Sequence, residues 1–136
     1  MTASLRLRLR VLPGRLAICR LDARAPVPGW ATTSGFVSMT RTERELSVVC
    51  DEALVPTGQC AESGYVALEV AGPMPLSMTG VLASLAVPLR DAGVALFAVS
   101  TYDTDYLLVK AALLHAAIAA LEGAGHTVAP RIPELT

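Results

Sequence analysis

The order of hydrophobic patterns in the second half of the chain limits the fold more than any other feature of the sequence. Patterns with the two-residue period of a strand alternate there with patterns at helical spacing. In chain order they predict a strand at residues 65–71, a helix at 78–91, strands at 94–99 and 106–110, a helix at 111–121 and a strand at 126–128. This β-α-β-β-α-β order is that of a ferredoxin-like sandwich, an α+β fold with antiparallel strands and two helices on one face. The continuous apolar run at 94–99 favours the interior of the sheet.

The first half has similar strand patterns but no long helical pattern. The patterns predict strands at residues 16–21, 35–40 and 45–50, the last two as a hairpin, and single turns near Trp30 and at 51–54. We interpret this half as a degenerate copy of the same ferredoxin-like unit. Because residues 56–64 are the most linker-like stretch, we divide the chain into a first unit at 1–63 and a second at 64–136. The longer helices are expected in the second unit.

Residues 5–11 alternate strictly between an aliphatic side chain and arginine. An Arg-rich targeting peptide would be amphipathic at helical spacing, whereas a period of two predicts a strand with one wet and one buried face. We expect an added or exchanged strand, and the sequence leaves open which unit it pairs with.

The charge and hydropathy of the chain bear on which partners to expect. The formal net charge is -1, which gives no electrostatic reason to expect nucleic acid or an anionic membrane surface as a partner. The mean hydropathy of +0.52 raises the question of a membrane span, and the uncharged run at residues 70–89 is long enough for one. Two glycines and three prolines interrupt that run, so we predict no transmembrane helix.

The cysteines and histidines do not have the spacing of a metal site. Cys19, Cys50 and Cys60 form no CxxC pair, and His115 and His126 lie far from them in the sequence. The first two cysteines lie in apolar strand patterns, where a thiol acts as a small hydrophobe. We expect reduced thiols in a cytoplasmic protein, with no metal and no cofactor. No pairing of a base with a nucleophile is evident, so we predict that the chain is not an enzyme and has no catalytic residues.

Two segments resemble the tandem ACT-domain proteins of bacteria and the ACT pairs of the animal cytosolic arginine sensor. They are SMTGVLASL at residues 77–85 and STYDTDY at residues 100–106. Residues 16–21, 40–42 and 45–50 are similar to the bacterial proteins too. The resemblance implies two ACT units, of which the first is degenerate. It also implies that a free amino acid binds at the edge between ACT units and that its binding is passed to a partner protein.

The turn between a strand and a helix is a suitable place for the carboxylate of such a ligand. The first amides of a helix lack intrahelical partners and lie at the positive end of the helix dipole, so they bind anions. The resemblance implies that the ligand-binding residues are Ser77, Met78, Thr79, Gly80 and Leu82 on one side and Thr101, Tyr102 and Asp105 on the other. Asp105 would face an ammonium or guanidinium group of the ligand.

Each of these residues also has an explanation without a ligand. Ser77 is a plausible helix N-cap, Gly80 could serve helix–strand packing, and Asp103 and Asp105 are common turn formers. Tyr102 could be a surface aromatic at a dimer contact.

The functional hypothesis is a small regulatory protein, a homodimer, that binds a free amino acid. The alternative is an ACT-fold structural or adaptor protein without a ligand, which acts through protein–protein contacts at exposed strand edges. The chain has two ACT units where the arginine sensor has four, so no particular amino acid is predicted.

Overall fold

The structure is a computed structural model that describes residues 5–75 and 77–129. Its contacts divide the chain into two compact units, and we describe each by itself. The N-terminal unit is Gly14–Tyr65, and the C-terminal unit combines Met1–Pro13 with Val66–Thr136. This division differs from the one drawn at residues 63 and 64, because the first segment of the chain belongs to the C-terminal unit.

The described residues form eight strands and two α-helices. In chain order these are β1 (Arg8–Val11), β2 (Leu16–Leu21), β3 (Ser38–Arg41), β4 (Leu46–Asp51), β5 (Ala61–Val70), α1 (Val81–Asp91), β6 (Phe97–Ser100), β7 (Asp105–Lys110), α2 (Leu114–Gly123) and β8 (Thr127–Ala129). Single 3-10 turns occur at Gly29–Ala31, Glu52–Leu54 and Ala111–Leu113. Neither helix is long and apolar enough to cross a bilayer.

The N-terminal unit is an antiparallel sheet in which 3-10 turns replace the helices of a ferredoxin-like unit. Its strand order is β3-β4-β2 followed by the first half of β5, and the predicted hairpin is β3–β4. Its core is small and is formed by Ala17, Cys19, Ala31, Leu46, Val48 and Cys50. The expectation that only the second half of the chain carries long helices is confirmed.

The C-terminal unit contains an inserted strand that a simple ferredoxin-like unit lacks. The strand order is β8-β1-β5-β7-β6. Strand β1 lies between the first and last strands of the βαββαβ series, antiparallel to β5 with Leu9 opposite Val70 and parallel to β8 with Leu9 opposite Val128. The question of where the N-terminal strand pairs is therefore answered in favour of the C-terminal unit.

Both helices of the C-terminal unit pack on the same face of its sheet. Alternate residues of β1, β5 and β7 share one core with the buried residues of α1 and α2. These core residues are Leu9, Val11, Val66, Leu68, Val70, Val81, Leu85, Leu89, Val94, Leu107, Val109, Leu114, Ala117, Leu121 and Val128. The members of this core recur at every second position in the strands and at helical spacing in the helices, so both patterns come from one apolar layer.

Four local predictions were wrong. Helix α2 begins at Leu114 rather than residue 111, because residues 111–113 form a 3-10 turn. Helix α1 begins at Val81 rather than residue 78, and residues 61–64 belong to β5 rather than to a linker. The run at residues 94–99 lies at the edge of the unit, where Phe97 is 36% exposed. The interior strand is β7, whose three central residues are fully buried. An apolar run shows only that a segment is hydrophobic. Its position in the strand order decides whether neighbouring elements bury it.

Candidate functional site

The segment that leads into α1 has a backbone shape that depends on glycine. Gly80 is the N-cap residue of α1 and has a φ of 81°, in the left-handed region that glycine adopts without steric cost. The prediction that Ser77 caps the helix is therefore wrong, because the helix begins four residues later. Ser77 is exposed and lies within the turn closed by the hydrogen bond from the Met78 amide to the Pro75 carbonyl, at 3.0 Å.

The start of α1 presents backbone amides without partners. No side chain among residues 5–75 and 77–129 caps the helix. In the described part of the chain no acceptor pairs with the amides of Val81, Leu82 and Ala83, and the first amide to bond is that of Ser84, which donates to the Gly80 carbonyl at 2.9 Å. These three amides lie at the positive end of the helix dipole and form a donor group for an anion.

The opposite side of the site is the tight turn between β6 and β7, which we call the β6–β7 turn (residues 101–104). The Thr101 amide and hydroxyl both donate to the Thr104 carbonyl, at 2.8 and 3.0 Å. Thr104 is 7% exposed, and its hydroxyl donates to the Val70 carbonyl at the end of β5, at 2.7 Å. The turn is thereby held against the strand that leads into the helix start.

A second backbone contact links the two sides of the site. The Met74 amide donates to the Asp103 carbonyl at 2.8 Å. The backbone at Gly72 lies close to the β6–β7 turn: an added Cβ would be 3.1 Å from the Asp103 carbonyl oxygen and 3.1 Å from the Thr104 Cβ. Gly72 therefore permits this approach, and any larger residue would push the β6–β7 turn away.

A cavity of about 310 Å³ lies between the helix start and the β6–β7 turn. Its lining residues are Met74, Pro75, Met78, Gly80, Val81, Leu82, Ala83, Ser100, Thr101, Tyr102, Asp103, Thr104 and Asp105. Six of the eight residues predicted from the sequence are among them; Ser77 and Thr79 are not. The helix start and the β6–β7 turn are thus close in space, as expected. The cavity is lined by more residues than the eight that were predicted.

Several lining residues were missed by sequence reasoning. Met74 and Pro75 precede the predicted turn, and Ala83 follows it; all three were treated only as parts of a turn or helix. Asp103 was interpreted as a turn former and Thr104 was not singled out. A threonine at the end of a polar loop is a weak signal, because its role depends on a carbonyl 34 residues away in the sequence.

The lining of the cavity has an uneven distribution of charge. Asp103 and Asp105 supply two carboxylates, and none of the described lining residues is basic. Asp105 is partly buried, whereas Tyr102 is 81% exposed at the rim. The lining therefore combines residues of the helix start, whose amides can bind an anion, with the carboxylates of Asp103 and Asp105, which can bind a cation. Among residues 5–75 and 77–129 no group of three or more His, Cys, Asp or Glu side chains is placed to hold a metal ion.

Comparisons with known proteins agree with this architecture. Residues 61–123 match the family model of the ACT domain, and residues 14–58 match a second family model, described as an N-terminal domain. The human protein CASTOR3P is 30% identical over 91 residues, which cover 57% of this chain and 56% of that protein. The match therefore spans about half the length of this curated relative.

Solved structures share the fold over most of the chain. The protein Atu0741 of Agrobacterium tumefaciens is 37% identical with a TM-score of 0.88, and the match covers 93% of this chain and 94% of that one. The ligand-free regulatory subunit of aspartate kinase from Thermus thermophilus has a TM-score of 0.58 at 10% identity, over 85% of this chain and 96% of that one. The chain therefore contains an ACT domain at residues 61–123.

Proposed function

We propose that this chain is a small regulatory protein that binds a free amino acid in the cavity between the start of α1 and the β6–β7 turn. One observation supports this most: the same cavity is lined by the helix start, whose first amides have no partner among the described residues, and by two carboxylates. A free α-amino acid carries a carboxylate and an ammonium group, which match these two kinds of group.

The ligand carboxylate would accept hydrogen bonds from the amides of Val81, Leu82 and Ala83. These donors need no side chain and have a fixed direction, because they belong to the first turn of a helix. Each hydrogen bond to a charged group contributes about 1.5–3 kcal/mol when it is shielded from water. The cavity has no basic residue in its described lining to compete for this role.

The ligand cation would bind Asp105, with Asp103 nearby. The remaining lining is largely apolar, with Met74, Met78 and Leu82 available to contact a ligand side chain. The cavity volume of about 310 Å³ is at the lower end of the range of small-molecule pockets, about 300–1,000 Å³. A single amino acid is a ligand of suitable size.

A second part of the proposal concerns assembly. We infer a homodimer in which the C-terminal units lie close to the twofold axis. Strand β6 carries no charge, and within the described residues it is hydrogen-bonded on one side only, to β7. Phe97 of β6 is 36% exposed, and α1 also carries exposed apolar side chains, with Leu82 at 40% and Val87 at 43%. An uncharged open strand edge of this kind is a typical surface for pairing with a second copy.

The role is inferred to be regulatory and not catalytic, in the cytoplasm. One solved structure of the same fold is a regulatory subunit of aspartate kinase, and the free cysteines Cys19, Cys50 and Cys60 fit a reducing compartment. Occupancy of the cavity would then be communicated to a partner protein.

A thermal-shift screen against the free amino acids tests the proposal, since a ligand that binds only the native state raises its melting temperature. Asp105→Asn should weaken ligands with a cationic side chain most, because it removes charge and keeps shape. Asp91→Asn, at the far end of α1, is the matched control.

Ala83→Trp should abolish binding of every amino acid by filling the cavity, while Ala119→Trp, exposed on α2, should not.

Two results would contradict the proposal. If calorimetry finds an amino acid whose affinity is unchanged by both Asp105→Asn and Ala83→Trp, the site lies elsewhere on the molecule. If no amino acid binds the unaltered protein, the adaptor function without a ligand is the better explanation.

A further inference from the structure

The alternating arginines near the start of the chain lie in a row on one face of the C-terminal sheet. The aliphatic residues of the segment at 5–11 pack in or against the core that the helices cover. Side chains of an extended chain point alternately to opposite faces. Arg6, Arg8 and Arg10 therefore lie on the helix-free face, where all three are exposed. We call these three residues the arginine strip.

The residues beside the arginine strip are small. On β8, Thr127 lies opposite Arg8. On the other side of β1, the Ala71 amide donates to the Arg8 carbonyl at 2.7 Å. Next to Arg6 lies Gly125, where an added Cβ would be 3.8 Å from the Arg6 Cγ. The guanidinium groups of Arg6 and Arg8 thus stand above a floor of short side chains.

The positive charge of the strip is only partly compensated. The Arg10 Nε and Nη2 both donate to the Glu69 Oε1, at 3.2 and 2.8 Å, and the Tyr106 hydroxyl donates to the other carboxylate oxygen at 3.0 Å. No side-chain hydrogen bond or ion pair joins Arg6 or Arg8 to another residue within residues 5–75 and 77–129. The strip therefore presents two unpaired guanidinium groups on a chain whose formal net charge is -1.

The chemistry of this face favours a protein partner over a nucleic acid or a membrane. Single-stranded nucleic acids are bound with the help of aromatic side chains on which bases stack, whereas the neighbours of Arg6 and Arg8 are glycine, alanine and threonine. Membrane-binding basic segments have clusters of about four to eight basic residues. The strip has three arginines, and one of them is already paired with Glu69.

An acidic peptide matches the strip in both charge and spacing. Alternate residues of an extended chain are about 6.5–7 Å apart, so carboxylates on one face of an extended peptide recur at the same distance as the arginines. Each guanidinium group can bind a carboxylate through two parallel hydrogen bonds.

We propose that the arginine strip is a docking surface for an acidic segment of a partner protein, with Arg6 and Arg8 as the main contacts. The inference is independent of amino-acid binding, because α1, whose start lines the cavity, packs on the other face of the sheet. It assigns a surface to the partner contact that a regulatory role requires.

The probe for the test is a short synthetic peptide in which glutamate alternates with threonine. It is added to the full-length protein at low ionic strength, where contacts between exposed charges are screened least. We expect the backbone amide resonances of Arg8, Arg10 and Thr127 to shift in a saturable way. The same peptide with glutamine in place of glutamate should leave them unchanged.

Two double variants separate the strip from the overall charge of the protein. Arg6→Gln with Arg8→Gln should raise the Kd of the acidic peptide about threefold or more, the effect of losing two exposed ion pairs. Arg15→Gln with Arg24→Gln is the matched control, since it makes the same change in net charge at two exposed arginines of the N-terminal unit. The control should leave the Kd close to that of the wild type.

A third variant is expected to change the affinity in the opposite direction. Glu69→Gln removes the carboxylate that pairs with Arg10, so it should lower the Kd of the acidic peptide. This variant also decides the matter if the Arg6→Gln and Arg8→Gln protein does not fold.

Several results would overturn the proposal. They are the absence of a saturable shift with the acidic peptide, an equal rise in Kd in both double variants, and weaker binding by Glu69→Gln. A single-stranded DNA oligonucleotide or phosphatidylserine vesicles that bind the strip more tightly than the peptide would also overturn it, in favour of that class of partner.

Discussion

Thr104 ties the β6–β7 turn to the strand before α1. Its hydroxyl donates to the Val70 carbonyl at 2.7 Å in a buried position. We expect Thr104→Val to lower the free energy of unfolding by about 1–3 kcal/mol, because valine keeps the shape and leaves the carbonyl without this donor. Urea denaturation measures the effect. Thr127→Val, at an exposed position of β8, is the control; equal losses in both variants would contradict the assigned role.

Because of Cys50, we expect the stability of the protein to fall as the pH becomes alkaline. Burial raises the pKa of the Cys50 thiol from 9.0 to about 11, with smaller contributions from Cys19 and Asp51. In the unfolded chain the thiol ionises near its ordinary value, so the unfolded state loses the proton first as the pH rises. The contribution of the neutral thiol to stability is therefore complete below about pH 9 and is lost as the pH rises through about 11.

The measurement is the urea midpoint at about pH 8 and about pH 10.5, on either side of the ordinary thiol pKa. The midpoint should fall between the two, and Cys50→Ala should reduce this fall. Cys60→Ala, which removes an exposed thiol, should leave the fall unchanged. A pH dependence that is the same in all three proteins would show that Cys50 has no part in it.

Strand β6 is the element that we expect to carry dimerisation. Its residues are mostly exposed, it lies at the end of the strand order in the C-terminal unit, and it has no charged residue to prevent pairing. We expect Phe97→Lys to convert the dimer to a monomer in sedimentation experiments at about tens of micromolar, a concentration at which a stable specific dimer persists.

The control for this variant is Val27→Lys, which makes the same charge change at a residue that is 54% exposed in the N-terminal unit. It should leave the sedimentation coefficient unchanged. A wild-type protein that sediments as a monomer would contradict the proposed assembly, and so would a Phe97→Lys protein that remains a dimer.

At the scale of the whole molecule, strand β1 makes the first segment of the chain part of the C-terminal unit. Leu9 is 2% exposed, pairs with both Val70 and Val128 and belongs to the core of that unit. We expect Leu9→Ala to lower the free energy of unfolding by about 2–5 kcal/mol, the range for buried leucines. Leu113→Ala, at a position that is 38% exposed, should cost far less. If the two variants have the same urea midpoint, β1 does not contribute to the core as the structure indicates.

The sequence by itself determined the kinds of elements and their order in each half. Apolar side chains at period two and at helical spacing predict strands and helices from local geometry alone. This was sufficient for β2, for the β3–β4 hairpin and for α2 apart from the start of that helix, since residues 111–113 form a 3-10 turn. The burial of Cys19 and Cys50 also followed from the apolar pattern of their strands. The two segments that line the cavity were predicted from their resemblance to ACT proteins, although Ser77 and Thr79 are not among the lining residues.

Only the tertiary structure decided which strands are neighbours, and most of the remaining features depend on that. Strand β1 carries the same alternation whether it pairs in one unit or the other, so its place between β5 and β8 is not visible in the sequence. The apolar run that includes β6 predicts burial, yet an edge position leaves it exposed. Gly80 replaces Ser77 as the N-cap because backbone conformation cannot be deduced from side-chain type alone. The hydrogen bonds of Thr104 and His126 join residues 34 to 119 positions apart, and contacts of that range exist only once the chain has folded.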